Sequence, residues 1–438
     1  MTAGMIEGRR LRRGFLGTMA ATAVLTAGFI GTAPVAVAAD IQSQQWYLDA
    51  MHAEEIWKTS TGEGIKIAVI DSGVNSSTPT LRGQILKGMD NSEAKGDETD
   101  DYDGHGTTIA ELIVGTGSGG GLKGLAPGAK VVPYRIAYTE LQNKEKTNAF
   151  DVKEAIKAAA DSDAQIINAS FGNSYYSTDE REAIKYAQSK GKLFFASAGN
   201  DAKKGNSQDS YPAAYPEAIA VASTDRNGKV SGYSQHGKFV DLAAPGSDIP
   251  GWCDAKFTQY CGGDGGTSAA SAIASASAAL IWSAHPDWTG NQVLRVMFES
   301  AARGDDWEPG SVSTYLGYGI VRPNAAITRG IGKPGDPDVS PLTNTKVGGK
   351  SAGSGASGTS DADGSSTAPG SSTASAKPSA PGSSQAPSAD SSAAPALAGS
   401  GGSADEGTPW GLVIGGAAAV VVVGAGAAFV VARRRRTA

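Results

Sequence analysis

The 438-residue sequence predicts an α/β fold, a buried parallel sheet with helices on both faces, followed by a single C-terminal transmembrane helix. Three observations carry that expectation. Short apolar runs rich in β-branched residues stop at turn-forming residues, and stretches with helical spacing lie between them. Near the end, 22 uncharged residues precede four consecutive arginines.

The first run, 65–70 (IKIAVI), is apolar throughout and ends at Asp71 and the turn-forming Ser72-Gly73. A strand buried on both faces reads this way. Runs at 130–137, 164–170, 192–198 and 218–224 repeat the pattern. Between them, 149–160 places Val152, Ile156 and Ala159 on one helical face, and 176–189 turns Ile184 and Ala187 inward. In such alternating folds the functional residues gather at the carboxyl ends of strands, where Asp71, Ser170 and Asn200 fall.

The ends of the chain set its organisation. Arg9, Arg10, Arg12 and Arg13 precede an apolar stretch from Phe15 to about Pro34, and Ala36-Val37-Ala38 offers a peptidase small residues, so 1–39 reads as a signal peptide. Residues 40–333 form the globular unit. Ser, Ala, Gly and Pro dominate 334–410, which lacks the large apolar residues that offset ordering entropy and reads as a disordered linker. The uncharged run 411–432 is long enough as a helix, about 33 Å, to cross a bilayer. Arginines in the tail 433–438 favour a cytoplasmic C-terminus with the body of the chain outside, at the cell membrane.

A net charge of −6 argues against nucleic acid as the main partner. The two cysteines, Cys253 and Cys261, lie in the exported part, where an even count favours a disulfide across a short loop.

Three motifs carry chemistry. VIDSG puts the Asp71 carboxylate at the end of a buried strand. DGHGTTIA sets His105 between glycines that leave room for a substrate backbone and let the imidazole project from a helix start; His236 and His285 sit in loop-like settings and read as structural. GGTSAASA places Ser268 at a helix start, where the dipole favours a developing oxyanion, and Asn200 of SAGN offers an amide to the same charge. A serine hydroxyl becomes nucleophilic when a neutral imidazole takes its proton, and a buried carboxylate fixes that imidazole's tautomer. Asp, His, Ser is a known chain order for this arrangement, here with separations of 34 and 163 residues.

These motifs, with INASFG, YPAAYPEAIAVAST and SGYSQHGKFVDLAAPGSDI, follow the order seen in the subtilisin-like serine proteases, which 45–326 resembles. The resemblance implies a triad of Asp71, His105 and Ser268 with Asn200 as oxyanion donor. It further implies that Ser170-Phe171-Gly172 pairs as an edge with extended protein or peptide substrates. The layout is similar to that of the mycosins, membrane-anchored subtilases associated with type VII secretion, and so implies subunits of that complex as partners. About 32 residues separate Ala39 from Asp71, too few for a folded chaperone prodomain, so the early segment is expected to wrap the domain.

Two positions depart from the pattern: Ala272 stands where relatives carry proline, and Glu111 where they carry glycine. A Glu111 facing the sheet would need a partner, and a nearby carboxylate raises a histidine's pKa. No cofactor is required by this chemistry and no metal ligand set is assigned; the acidic loop 96–105 is compatible with structural calcium. The leading expectation is a membrane-anchored serine endopeptidase acting on exported proteins. Its rival is a structural subtilase-like component that steadies a membrane secretion complex, with proteolysis secondary or lost.

Overall fold

The computed structural model describes residues 41–347, apart from 139–140, 142–143, 145–151, 203–207, 264, 305–306 and 309. The expected signal peptide, transmembrane helix and basic tail lie outside the described residues, as does 348–410 of the linker.

Seven parallel strands form the main sheet in the order β2-β3-β1-β4-β5-β6-β7. They are β1 (Lys66–Asp71), β2 (Met89–Asp90), β3 (Lys130–Arg135), β4 (Ile166–Ala169), β5 (Leu193–Ser197), β6 (Ile219–Thr224) and β7 (Leu242–Pro245). All five runs expected as strands are strands. Burial on both faces explains their continuous apolarity. β2, at two residues, and the small-residue strand β7 complete the sheet.

Helices cover both faces. On one, α1 (His105–Val114) and α4 (Thr267–Ala284) pack on Ile67, Val69, Phe195 and Val221. On the other, α2 (Val152–Asp161) and α3 (Thr178–Ser189) pack on Ala68, Ile70, Ile167 and Phe194. The faces read from sequence are the buried ones: Val152, Ile156 and Ala159 in α2, Ile184 and Ala187 in α3. α3 starts two residues later than the expected 176 because the Ser177 side chain caps it, accepting from Glu180 N at 3.3 Å. The last helices are α5 (Gly290–Ser300) and α6 (Pro323–Ile327).

Among the described residues α4 alone is long and apolar enough to cross a membrane, but 83% of it is buried inside the domain. Its hydropathy is that of a core helix. It runs through Ala272 without interruption, and Ala272 is fully buried.

The early segment packs on the domain. Tyr47 and Ile56 are fully buried, Gln45 Nε2 donates to Lys123 O at 2.8 Å, and Trp46 Nε1 to Ser247 O at 3.0 Å. Residues 334–347 correct the expected linker boundary, because they pack on the domain. Asn291 Nδ2 donates to Pro337 O at 2.9 Å, Arg295 Nη2 to Val339 O at 3.0 Å, and Leu342 rests on the core. Side chains on α5 satisfy these backbone carbonyls, a relation that composition does not register.

Candidate active site

The chain starts toward one edge of the sheet with β1, β2 and β3 and toward the other with β4 to β7, so the winding reverses between β1 and β4. Open parallel sheets bind ligands at such a reversal, beyond the strands' carboxyl ends. Asp71 is the last residue of β1, Ser170 follows β4, and Asn200 follows β5 by three residues.

Asp71 is buried, and its Oδ1 accepts the backbone N–H of Ser72 at 2.8 Å and lies 2.7 Å from His105 Nδ1. His105 is the first residue of α1, set by Gly104 in the left-handed region at φ 97°. The room that the second glycine provides is used by the protein itself. A Cβ on Gly106 would lie 2.2 Å from Gly73 O and 3.1 Å from Asp71 Oδ1, so only glycine lets α1 approach the β1 turn. Ser72 and Asp101, which sequence reasoning did not single out, lock that approach. Ser72 Oγ donates to Asp101 Oδ1 at 2.8 Å and accepts Gly106 N at 3.0 Å.

The His105 side chain is 34% exposed, so its other ring edge faces the cleft. Burial favours the neutral ring, but the Asp71 carboxylate, with Asp103 and Asp101 behind it, outweighs that effect and pushes the pKa up to about 9.

Ser268 is the second residue of α4, at the positive end of the helix. Its hydroxyl donates to Ser170 O at 2.9 Å, and the Ser170 hydroxyl donates back to Ser268 O at 3.1 Å. In this rotamer Ser268 is not bonded to His105, though both line one cavity of about 280 Å³ with Asn200. Behind this pair, the fully buried Asn168 accepts from Ser271 Oγ at 2.9 Å and Ser275 Oγ at 3.1 Å, and donates to Ser170 Oγ at 2.8 Å. The network ties the end of β4 to the first turns of α4.

Asn200 Oδ1 accepts Thr267 N at 3.0 Å and Thr267 Oγ1 at 2.9 Å, which turns its Nδ2 away from Thr267. A Cβ built on Gly266 would lie 3.3 Å from Asn200 Nδ2 and 3.7 Å from Ser268 N. Two N–H donors therefore border one small space beside the Ser268 side chain. Gly266 has φ 166°, ordinary extended backbone, so its lack of a side chain serves that space rather than a turn.

Glu111 is fully buried on α1 and finds its partners away from the cleft. Oε1 accepts the hydroxyls of Thr80 and, at 3.0 Å, Thr78; Oε2 accepts Tyr260 OH at 2.8 Å. Burial raises its pKa against those bonds. The carboxylates that act on His105 are Asp71, Asp103 and Asp101, so the anticipated influence of Glu111 on that ring is replaced by theirs.

Tyr260 belongs to a two-stranded ribbon, β8 (Gly251–Trp252) and β9 (Tyr260–Cys261), closed by the Cys253–Cys261 disulfide. His285 stacks on Trp288 and His236 on Tyr315, with ring centroids 3.8 and 4.3 Å apart. In the acidic loop, Asp101 accepts the backbone N–H groups of Asp103, Gly104 and Thr107 at 2.8 to 3.0 Å. Among the described residues no group of three acidic, histidine or cysteine side chains is placed to hold a metal ion.

The Peptidase S8 (subtilase) family profile matches residues 62–319. Thermitase from Thermoactinomyces vulgaris is 37% identical over 209 residues, covering 47% of this chain and 72% of that protein. The crystal structure of MycP1 from Mycobacterium smegmatis superposes with a TM-score of 0.55 at 28% identity, over 64% of this chain and 84% of the other. MycP3, a protease from the type VII (ESX-3) secretion system, gives a TM-score of 0.53 at 27% identity over 64% and 87%. A profile match across more than half the sequence, on a seven-stranded sheet of this topology, establishes that the chain belongs to the subtilase family of serine endopeptidases.

Proposed function

We propose that the protein is a membrane-anchored endopeptidase of exported proteins in which Ser268 is the nucleophile, His105 the general base and acid, and Asp71 the group that orients His105. The observation that carries this reading is the 2.7 Å contact between Asp71 Oδ1 and His105 Nδ1. It holds the ring proton on Nδ1, leaving Nε2 unprotonated toward the cleft when the ring is neutral.

Catalysis begins with a rotation of the Ser268 side chain from Ser170 O to His105 Nε2. Nε2 takes the hydroxyl proton as Oγ attacks the substrate carbonyl carbon. The carbonyl oxygen, now negative, moves between Ser268 N–H and Asn200 Nδ2, where donors fixed in advance stabilise charge without reorganisation. His105 then gives its proton to the leaving nitrogen, the C–N bond breaks, and water repeats the sequence on the acyl-enzyme. The backbone of Gly172 has no hydrogen bond among the described residues and lines a second cavity beside Ser268 with Ser170 and Phe171. This supports edge pairing of extended substrate along 170–172.

The membrane anchor rests on the uncharged run 411–432 and its following arginines. The link to type VII secretion rests on the likeness to MycP1, described as an essential component of the ESX-1 system, which matches this chain with a TM-score of 0.55 at 28% identity. A structural role in such a complex is the second reading, favoured by the same uncharged run and arginines, which would hold the domain at a membrane.

The test uses the purified full chain and reduced, alkylated casein. Hydrolysis by the wild type and none by Ser268→Ala supports the enzymatic reading; equal hydrolysis by both, or none by folded wild type, overturns it. Restoration of secretion by Ser268→Ala in a strain lacking the protein favours the structural role.

A further inference from the structure

Two cavities meet at Ser268 and Asn200. One, about 420 Å³, runs along Ser170-Phe171-Gly172 and is lined mainly by polar residues; the other, about 280 Å³, is bordered by His105. Proton delivery distinguishes them. The imidazole must hand its proton to the departing nitrogen, so it stands on the leaving-group side of the scissile bond. The cavity at His105 therefore receives the substrate residue that follows that bond.

Its walls are apolar. Ile109 and Leu112 come from the helix that His105 begins, Ile249 from the segment after β7, Ala269 from α4, and Trp252 from the ribbon. Ile109, Leu112 and Ile249 are buried, and Asp103 is the charged residue at the cavity's rim besides His105. Apolar walls reward an apolar side chain, and Asp103 repels an acidic one.

The Trp252 wall is held from behind. Its ring stacks on Tyr260 with centroids 3.9 Å apart, and Tyr260 OH donates to the buried Glu111 carboxylate at 2.8 Å. The disulfide closes the ribbon that carries both rings. Glu111 thus joins the ribbon to the same helix that presents His105 to the cleft.

We propose that this cavity selects substrates with a large apolar residue immediately after the scissile bond, that Trp252 determines this specificity, and that Glu111 is a positioning residue acting through Tyr260. The proposal rests on the hydrolytic reading above and names the substrate class of that site.

Unfolded casein digested by the purified full chain reports the preference directly, because each new N-terminal residue occupied the leaving-side cavity. Mass spectrometry is expected to find Leu, Ile, Met and Phe together enriched about threefold there over their frequency in casein, with Asp and Glu depleted. Glu111→Gln keeps the side chain's shape and is expected to lower the enrichment to about half the wild-type value. Trp252→Ala is expected to lower it to near the casein frequency. Both variants should unfold in a single cooperative thermal transition, which a general loss of structure would not permit. A wild type that a fluorophosphonate labels at Ser268 but that yields N-termini following casein composition overturns this assignment alone. A folded wild type that neither labels nor cleaves overturns the hydrolytic reading and this assignment with it. Equal enrichment in wild type and Trp252→Ala overturns the role of Trp252.

Discussion

Replacing Gly266 by alanine tests the oxyanion site through a single methyl group. The added Cβ would lie 3.3 Å from Asn200 Nδ2 and 3.7 Å from Ser268 N, in the space those donors border. An oxyanion needs to approach each donor to about 2.7–3.1 Å, so methyl and oxyanion exclude one another. Asn200 cannot swing aside without giving up its two bonds from Thr267. Loss of one such donor costs about 10²–10³ in kcat, and the methyl obstructs both, so kcat should fall at least about 100-fold. The backbone at φ 166° accepts alanine without strain. The gain of about 0.4–1 kcal/mol from restricting the unfolded chain offsets the tight contact, leaving Tm within a few degrees of the wild type. The assay is steady-state peptide hydrolysis beside a thermal melt. A folded Gly266→Ala protein retaining a third or more of wild-type kcat would refute the assignment of this space to the oxyanion.

Four further outcomes follow from the same structure. His105 acts as a base only when neutral and its pKa is pushed up to about 9, so kcat/KM should climb with pH through about 9; Asp103→Asn should move that limb downward by about 0.3–0.5 unit, less at high salt. The same raised pKa contributes stability below the unfolded histidine value near 6.5 that is lost as pH rises through about 9, which a pH series of urea melts reads. Asn168→Ala leaves the Ser170, Ser271 and Ser275 hydroxyls without their shared partner and should lower stability by about 2–3 kcal/mol in urea unfolding. EDTA should leave Tm unchanged within about 1 °C, because backbone N–H groups already surround the Asp101 carboxylate.

The central strands and the cluster at their ends were legible because both have local signatures. A strand buried on two faces must be apolar along its whole length, and Asp71, His105, Asn200 and Ser268 each sit at a strand end or helix start marked by glycine. What stayed hidden was set by distant partners. Nothing near Glu111 in the chain announces that Thr78, Thr80 and Tyr260 receive its carboxylate. The ordering of 334–347 depends on α5 side chains over forty residues earlier. The glycine beside His105 was legible as making room, but what fills the room, the β1 turn, became visible only in three dimensions.

The most direct test of the central claim is the site and pH dependence of fluorophosphonate attachment to the full chain. The account predicts one adduct, mapped to Ser268 by tandem mass spectrometry. Its rate should rise with pH through about 9 and fall at least about 100-fold in His105→Ala. An adduct on another serine, or a Ser268 rate indifferent to pH and to His105, would contradict it.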